Sequence, residues 1–384
     1  MSRAARSFRL ASIIACAAFA AACGAHRGAR GQGPPPAGGE VVQLDPVHVT
    51  ASREGERVVL DAYDARELFV RASKAMRGRE YEEAVRLYAA LVSEFKDSEL
   101  VEPALYNQGL CFHALGRFQE EAAAYAAIAE RFPECADLED ALFRLAGAYE
   151  ALESWDDAVK ALDALLARPA LGGIERVEAL ARKGAALISL GAPEDARFTL
   201  EEATRLFRQG RGISPSDSVF YYSMAEFKLG EIVHNEMRAV ALPSDDRVLE
   251  AQLEKKAELL LEAQRLYTDV IRVGDPHWAA AAAYRIGALY HHLWKDILAA
   301  PPPGDLDDEA KEIYLRILRD RTRVLLKKAV VQWERTLKLA RRLNLDDEWV
   351  ASTERDLAEI RAELAIEEQE GADDTDGADA GKKP

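Results

Sequence analysis

Residues that could perform chemistry are few and scattered in this 384-residue chain. The sequence contains no glycine-rich phosphate loop, His-Glu-x-x-His pair or Gly-x-Ser-x-Gly elbow, the marks of nucleotide sites, zinc proteases and serine hydrolases. His291-His292 is the best metal candidate, but adjacent helical residues point about 100° apart and cannot chelate as an i, i+4 pair does. We therefore predict a protein that is not an enzyme and uses no metal, cofactor or small-molecule substrate.

Charge and cysteine content narrow the classes of partner. The formal net charge is −16, and so acidic a chain repels nucleic acid. Four cysteines without a Cys-x-x-Cys spacing do not make a disulfide framework. Cys111 falls well along a predicted helix and Cys135 in the turn before the next one, so we expect two free thiols.

A third cysteine, Cys23, follows a leader-like segment. Three arginines precede the uncharged residues 10–22, which are long enough for the apolar region of a signal peptide and too short to span a membrane. The sequence Ala20-Ala21-Ala22-Cys23-Gly24 resembles the bacterial lipobox, in which the cysteine is acylated after cleavage. The resemblance implies a signal peptide at residues 1–22 and lipidation at Cys23.

The residues around Cys23 also bear on localisation. Because Gly24 rather than Asp follows the cysteine, the resemblance implies a protein anchored in the outer membrane by its lipid and facing the periplasm. Ala20 stands where the lipobox usually has Leu, and Ala-x-Ala also suits ordinary signal peptidase. A soluble periplasmic protein is therefore the alternative.

Residues 23–60 contain many Gly, Ala, Pro and Arg and no helical apolar period at their start, which predicts a lipid-anchored flexible tether. Its strand-prone segment Val47-His48-Val49-Thr50-Ala51 resembles the TonB box of outer-membrane transporters, which adds a strand to a partner's sheet. The alternative is an extended linker that happens to contain Val and Thr.

Aromatic residues then recur at a fixed spacing. Tyr81, Phe118 and Trp155 are each 37 residues apart, and such a period indicates a solenoid of repeats. An aromatic-x-x-small-x-x-aromatic pattern also recurs, as in Tyr106-x-x-Gly109-x-x-Phe112. Together these motifs resemble the tetratricopeptide repeat (TPR). The resemblance implies an all-α, TPR-like α-solenoid of antiparallel helix pairs over residues 61–300.

The six predicted pairs begin near Asp61, Glu99, Leu138, Gly173, Ser216 and Pro276. Two residues depart from the family pattern: Glu121 replaces the usual Ala of the second repeat, and Pro193 replaces an aromatic in the fourth. Residues 301–366 are predicted to form elongated C-terminal helices and a cap, including one amphipathic helix over 306–343. Residues 367–384 carry seven acids and are predicted to be a disordered acidic tail.

The TPR register aligns two sets of residues on the first helices. The resemblance implies that both sets face the concave surface, where aromatic rings and histidines could hold an extended peptide or a partner helix. The alternative is that the rings only pack adjacent repeats together. These predicted partner-binding residues are Phe69, Tyr106, Phe143, Phe227 and Tyr284 in one set and His113, His234 and His291 in the other.

These features predict a non-catalytic scaffold that binds envelope proteins or peptides, similar to TPR lipoproteins of envelope assembly, pilus and motility complexes. Two other hypotheses stay open. One is a subunit of a TonB-energised machine that engages its partner through residues 44–53, and the other is a clamp that binds cell-wall glycan through exposed aromatics.

Overall fold

The computed structural model describes residues 47–54, 57–210, 218–304 and 306–380. Over those residues the chain forms thirteen α-helices and one β-hairpin, and consecutive helices pack as antiparallel pairs. The predicted all-α, TPR-like solenoid with elongated C-terminal helices is therefore confirmed. The predicted signal peptide and Cys23 lie outside the described residues.

Six helix pairs follow one another and a single helix ends the array. The first helices of the pairs are α1 (Ala65–Arg77), α3 (Val101–Ala114), α5 (Leu138–Ala151), α7 (Gly173–Ser189), α9 (Phe220–Ala239) and α11 (Pro276–Leu298). The second helices are α2 (Tyr81–Glu94), α4 (Phe118–Arg131), α6 (Trp155–Leu166), α8 (Pro193–Gln209), α10 (Asp246–Val273) and α12 (Asp308–Leu343). The last helix is α13 (Glu348–Ala380).

Local sequence explains where these helices begin and end. Asp275 accepts a hydrogen bond from the backbone N–H of Trp278 at 3.0 Å and Pro276 occupies the first turn, so α11 has both an N-cap and a compatible first residue. Gly116 and Gly191 adopt φ of +71° and +73° in the tight turns between paired helices, a conformation that favours glycine.

In four of the six pairs a glycine of the first helix lies against a large side chain of the second. A Cβ atom on Gly109 would lie only 2.5 Å from the ring of Tyr125, so glycine is required for this close approach. Glycines elsewhere meet large side chains in the same way, in the pairs Gly184 with Leu200, Gly230 with Tyr267 and Gly287 with Trp333.

Several first helices contact the next first helix directly. Along the described chain, α1 contacts α3, α7 contacts α9, α9 contacts α11 and α11 contacts α13, whereas no second helix makes a comparable contact with the next second helix. The two sets of predicted binding residues all lie on these helices.

The second helices lengthen toward the C-terminus. α4 has 14 residues, α10 has 28 and α12 has 36, the last about 54 Å long. α12 packs along α11 as its antiparallel partner. The predicted boundary at residue 300 is therefore wrong, because it separates two helices of one repeat.

The structure also differs from the predictions of a flexible tether at residues 23–60 and a disordered tail at residues 367–384. β1 (His48–Glu54) pairs antiparallel with β2 (Arg57–Tyr63), with His48 opposite Tyr63, so the last part of the expected tether is a hairpin. Tyr63 donates a hydrogen bond to Glu94 at 2.9 Å and the His48 ring lies 4.7 Å from that of Phe95, and both contacts attach the hairpin to the first repeat. Side-chain contacts with α2 thus order a segment whose local composition predicts flexibility.

The helix α13 continues to Ala380, through residues that were expected to be disordered from 367 onward. Residues 371–380 include two glycines and four aspartates, which are poor helix formers, but extending an existing helix needs no new nucleus. Among the described helices, none combines the length and the apolar character that a membrane span requires. Cys111 is buried, which raises the pKa of its thiol to about 11, and Cys111 and Cys135 are free as predicted.

Candidate partner-binding surface

The eight predicted binding residues share a register but differ in exposure. Those of the first three repeats are half-buried or exposed, whereas most of those in the fifth and sixth repeats are buried. We call the aromatics of the first three repeats, Phe69, Tyr106 and Phe143, the open row. We call the corresponding residues of the last two repeats the buried row, which consists of Phe227, His234, Tyr284 and His291.

The open row rests on the repeat cores with one side of each ring accessible. Phe69 makes an edge contact with Tyr88 at 5.7 Å between ring centroids, and Tyr106 makes the same contact with Tyr125 at 5.8 Å. Rings packed in this way lose little further conformational entropy when a partner binds.

Arg144 holds the exposed side of Tyr106. Its guanidinium lies 5.5 Å from the centre of the Tyr106 ring, and its Nε donates at 2.8 Å both to the Tyr106 hydroxyl and to Asp140. Tyr106 in turn donates to Asp140. Burial, together with that hydrogen bond to a carboxylate, raises the pKa of Tyr106 to about 12. This network joins the second repeat to the third.

Arg182 does the same for Phe143 one repeat later. Its guanidinium lies 5.7 Å from the ring centre, and its Nη2 donates to the Phe143 carbonyl at 3.2 Å. Its Nε donates to Glu150 at 2.9 Å and its Nη1 to Glu178 at 3.2 Å, so the charge is paired on both sides. An arginine of the following repeat thus fixes two of the three aromatics of the open row, Tyr106 and Phe143.

His113 explains why the second repeat departs from the family pattern. Glu121 stands in place of the usual Ala and is buried, and its carboxylate lies 3.0 Å from Nδ1 of the exposed His113. Burial raises the pKa of Glu121. The carboxylate therefore occupies the space between the paired helices by binding a histidine at the rim of the open row.

The buried row begins with Phe227, whose side chain is 0% exposed. Its ring packs against Trp278 at 5.1 Å, Tyr267 at 5.6 Å and Trp349 at 5.6 Å. Trp349 belongs to α13, so the helix that ends the array covers this part of the first-helix layer. The prediction that Phe227 contacts a partner is wrong because the next helices already fill that position.

His234 and His291 are also buried, at 3% and 5% exposure. Nε2 of His234 lies 2.9 Å from Nδ1 of His292, a hydrogen bond between two neutral rings. Burial lowers the pKa of His234 to about 3, and the neighbouring His292 adds to the shift. His234 and His291, two of the predicted partner-binding residues, are therefore part of the core and are not accessible to a partner.

Tyr284 is half-buried because α13 lies against it. The hydroxyl donates to Asp356 at 2.7 Å, and the ring stacks on Trp333 at 6.0 Å and tilts against Trp349 at 5.8 Å. Arg285 places its guanidinium 5.4 Å from the Trp349 ring. Here the aromatic of the register anchors the last helix and leaves little surface free.

The set of predicted residues missed the basic side chains that accompany the aromatics. Each stands two positions before the small residue of a first helix, and each lies over a ring of its own or the preceding repeat. The repeat register contains this signal, since the same position is basic in four consecutive repeats. These residues are Arg144, Arg182, Lys228 and Arg285.

Comparison with known proteins supports the repeat assignment. Residues 69–134 and 140–169 each match a tetratricopeptide-repeat family, so the chain contains TPR repeats over the segment that carries the open row. Proteins with such repeats act as protein-interaction scaffolds. No curated protein matches the chain.

Similar solved structures are also TPR proteins. One from Parabacteroides merdae ATCC 43184 is 14% identical, with 77% of this chain and 98% of that chain covered and a TM-score of 0.37. YrrB, a TPR protein with an unusual peptide-binding site, is 17% identical, with coverages of 67% and 97% and a TM-score of 0.36. MamA from Desulfovibrio magneticus RS-1 is 16% identical, with coverages of 51% and 94% and a TM-score of 0.34.

Proposed function

We propose that the protein is a lipid-anchored scaffold of the bacterial envelope that binds an extended segment of a partner protein along the open row. The observation that carries this proposal is the set of three half-buried aromatics on successive first helices. Two of the three rings are held in place by arginines of the following repeat. The surface is thus rigid and apolar, with a rim of paired charges.

The chemistry of this surface defines the class of partner. The rings of Phe69, Tyr106 and Phe143 offer contact area to apolar or aromatic side chains, which would recur along a chain that crosses successive repeats. Arg144 and Arg182 already bind carboxylates of their own chain, so they position the rings more than they attract an acidic ligand. An extended peptide with spaced apolar residues fits this arrangement better than a polyanion does.

The proposed anchor is a lipid on Cys23, with the signal peptide at residues 1–22 removed and the body facing the periplasm. The support is the lipobox-like sequence and the Gly24 that follows it. An N-terminal cysteine carrying several acyl chains would hold the protein stably, because a single chain binds membranes only marginally. Pilus, motility and envelope-assembly complexes are the settings that this arrangement suits.

The TonB hypothesis requires the hairpin to offer a free strand edge to a partner. β1 already pairs with β2 along its length, so a partner strand would have to add to the other edge of β1. Deleting residues 44–53 separates the two hypotheses: a scaffold keeps its partner, whereas a TonB-coupled subunit loses function. A pull-down with purified peptidoglycan that shows no enrichment would remove the glycan-clamp hypothesis.

A crosslinking pull-down from cell envelopes tests the open row. We compare the native chain with a variant carrying Phe69→Ala, Tyr106→Ala and Phe143→Ala, and with Phe198→Ala as the matched control, since Phe198 is 72% exposed on the second helix α8. We expect the triple variant to lose a specific partner while its helical circular dichroism and that of the control stay native. An unchanged partner set in the triple variant contradicts the proposal.

The anchor is tested separately. Cells fed a clickable fatty acid should label the native protein, and Cys23→Ala should abolish both the label and recovery in the outer-membrane fraction. A native protein that stays unlabelled and partitions with the soluble periplasm would support the alternative of plain secretion.

A further inference from the structure

One imidazole and two carboxylates meet where the last helix crosses the sixth repeat. His291 lies on α11, and Glu359 and Glu363 lie one turn apart on α13, so both carboxylates are on the same face of that helix. One ligand atom from each of the three residues lies within 4.8 Å of the other two. The cluster is outside the open row and has no part in the peptide binding proposed above.

The side chain of His291 is buried, unlike the two glutamates of the cluster. The side chain is 6% exposed, and Nε2 is buried without a hydrogen-bond partner in the described part of the chain. The carboxylate oxygen nearest to it in the cluster, Oε2 of Glu363, is 4.0 Å away, too far for a hydrogen bond. A buried polar atom without a hydrogen-bond partner costs free energy, which a ligand bound at Nε2 would recover.

The ring of His291 is fixed in this orientation by its neighbours. It stacks on Trp294 at 6.2 Å between centroids and meets the edge of Trp333 at 5.7 Å, and both indoles are buried. Nε2 is therefore held toward α13 by packing. A donor atom whose direction is set in advance loses less entropy when it binds a ligand.

Charge and protonation suit a cation at this place. Burial and then the nearby Lys295 lower the pKa of His291 to about 4, so the imidazole is neutral and able to donate a lone pair at pH 7. Asp356 contributes a further negative charge close by, and Lys295 donates to Glu359 at 3.1 Å. The neutral imidazole and the two glutamate carboxylates thus present donor atoms to one point, as a bound divalent ion requires.

We propose that His291, Glu359 and Glu363 bind one divalent transition-metal ion of the zinc type and thereby hold α13 against α11. One imidazole with two carboxylates is a donor set that zinc and cobalt accept, with a water in the fourth position. Metal–ligand bonds of about 2.0 to 2.2 Å require the carboxylates to move inward by about 1 Å. Both glutamates are partly exposed, so rotation of their side chains suffices.

The test uses the full chain, stripped of metal with a chelator and titrated with Co²⁺, whose visible absorption reports its coordination. We expect one equivalent of Co²⁺ to give the absorption of a site with nitrogen and oxygen ligands, and Zn²⁺ to displace it. His291→Asn and Glu363→Gln should each weaken the binding at least about tenfold. The matched control is Glu354→Gln, an exposed acid on the same helix outside the cluster.

Hydrogen exchange of α13 provides the second measurement. Zn²⁺ should slow exchange in α13 and α11 of the native chain and of Glu354→Gln, and it should leave exchange unchanged in Glu363→Gln. Since Glu363 is partly exposed, its substitution should preserve the fold even if His291→Asn does not. Equal binding by the native chain and Glu363→Gln, or no bound Co²⁺ at all, would overturn the proposal and leave only adventitious binding to an acidic surface.

Discussion

The first three repeats and the last two place aromatic residues at the same register position, with opposite results. In the open row each ring is half-buried, and Tyr106 and Phe143 are each bordered by an arginine of the next repeat. In the buried row Phe227 is enclosed by Trp278 and Trp349 and is 0% exposed. The repeat register places these side chains at one position of the first helices. Whether that position is exposed or buried depends on which residues later helices pack against it.

The two halves of the solenoid use this register position differently. In the proposed function the first half offers rings to a partner, whereas the second half uses the same position to bind its own final helix. A repeat array can thus carry a ligand surface and a structural closure in one register. The predictions below test this division, from the largest expected effect to the smallest.

Trp333→Ala should have the largest effect, and it should stay in the second half. Trp333 is 0% exposed, fits against Gly287 and donates its indole N–H to the Tyr284 carbonyl at 2.9 Å. Truncation leaves a cavity, so we expect a local loss of about 3–5 kcal/mol. Hydrogen exchange should rise in α11, α12 and α13 while α3 and α5 keep their protection. Equal loss in both halves would show that the array unfolds as one unit.

Trp349→Ala should uncover the buried row without unfolding it. Trp349 is partly buried, and its ring covers Phe227 and Tyr284. We expect a loss of about 1–3 kcal/mol in the contacts of α13 and increased binding of a hydrophobic dye. If dye binding and exchange in α9 stay at the native level, another group covers Phe227 and the assignment of Trp349 is wrong.

Acidification should weaken the second half before the first. The pKa of His234 is lowered to about 3 and those of His291 and His292 to about 4, against an ordinary 6.5, so the unfolded chain binds protons more tightly than the folded one. Stability from this source is complete above pH 6.5 and is lost as the pH falls toward 4. The slope is at most about 1.4 kcal/mol per pH unit for each histidine.

His292→Asn tests this dependence by urea unfolding at pH 7 and pH 5. The variant should lose less stability between the two pH values than the native chain does, and Phe198→Ala, an exposed substitution that removes no titratable group, is the control. Burial raises the pKa of Glu226, which also lies in the second half, and this shift has the opposite effect on the pH dependence of stability. Comparing the pH dependence of the two variants therefore isolates the contribution of His292. An identical pH dependence in the two variants would contradict the prediction.

Arg144→Ala should have the smallest effect on stability and a selective one on binding. Arg144 is part-exposed and orients Tyr106 through one hydrogen bond and one ring contact, so we expect at most about 1 kcal/mol of destabilisation. Partner affinity should fall a few-fold in the pull-down. Arg131, over Phe132 at the end of α4, is the matched control, since Arg131→Ala should leave binding unchanged.

Sequence reasoning predicted the repeats well because the repeat signal is local. α5, α7 and α11 begin at the predicted Leu138, Gly173 and Pro276, since the aromatic and small residues that define each pair lie within one pair. The partner-binding set was predicted less well. Phe227 and Phe143 occupy equal register positions, and the residue that buries Phe227, Trp349, comes more than a hundred residues later in the chain.

Two other outcomes show different limits. The hairpin that replaces part of the expected tether depends on contacts of His48 and Tyr63 with α2, which no local pattern predicts. The basic residues beside the rings, in contrast, follow the register from Arg144 to Arg285 and could have been found by aligning the repeats. Burial by residues that are distant in the sequence could not be predicted from local patterns. A residue type that recurs at one position of the repeat could be.

The uneven length of the second helices has a practical consequence. The contact between a glycine and a large side chain is kept in the fifth and sixth repeats, although the segments that join its two residues are much longer. Most of the added residues lie between the two residues of that contact, on either side of the turns that follow α9 and α11. Those turns are therefore permissive sites, and an epitope or fluorescent domain inserted after Gly304 should report on the protein in cells without disturbing repeat stacking.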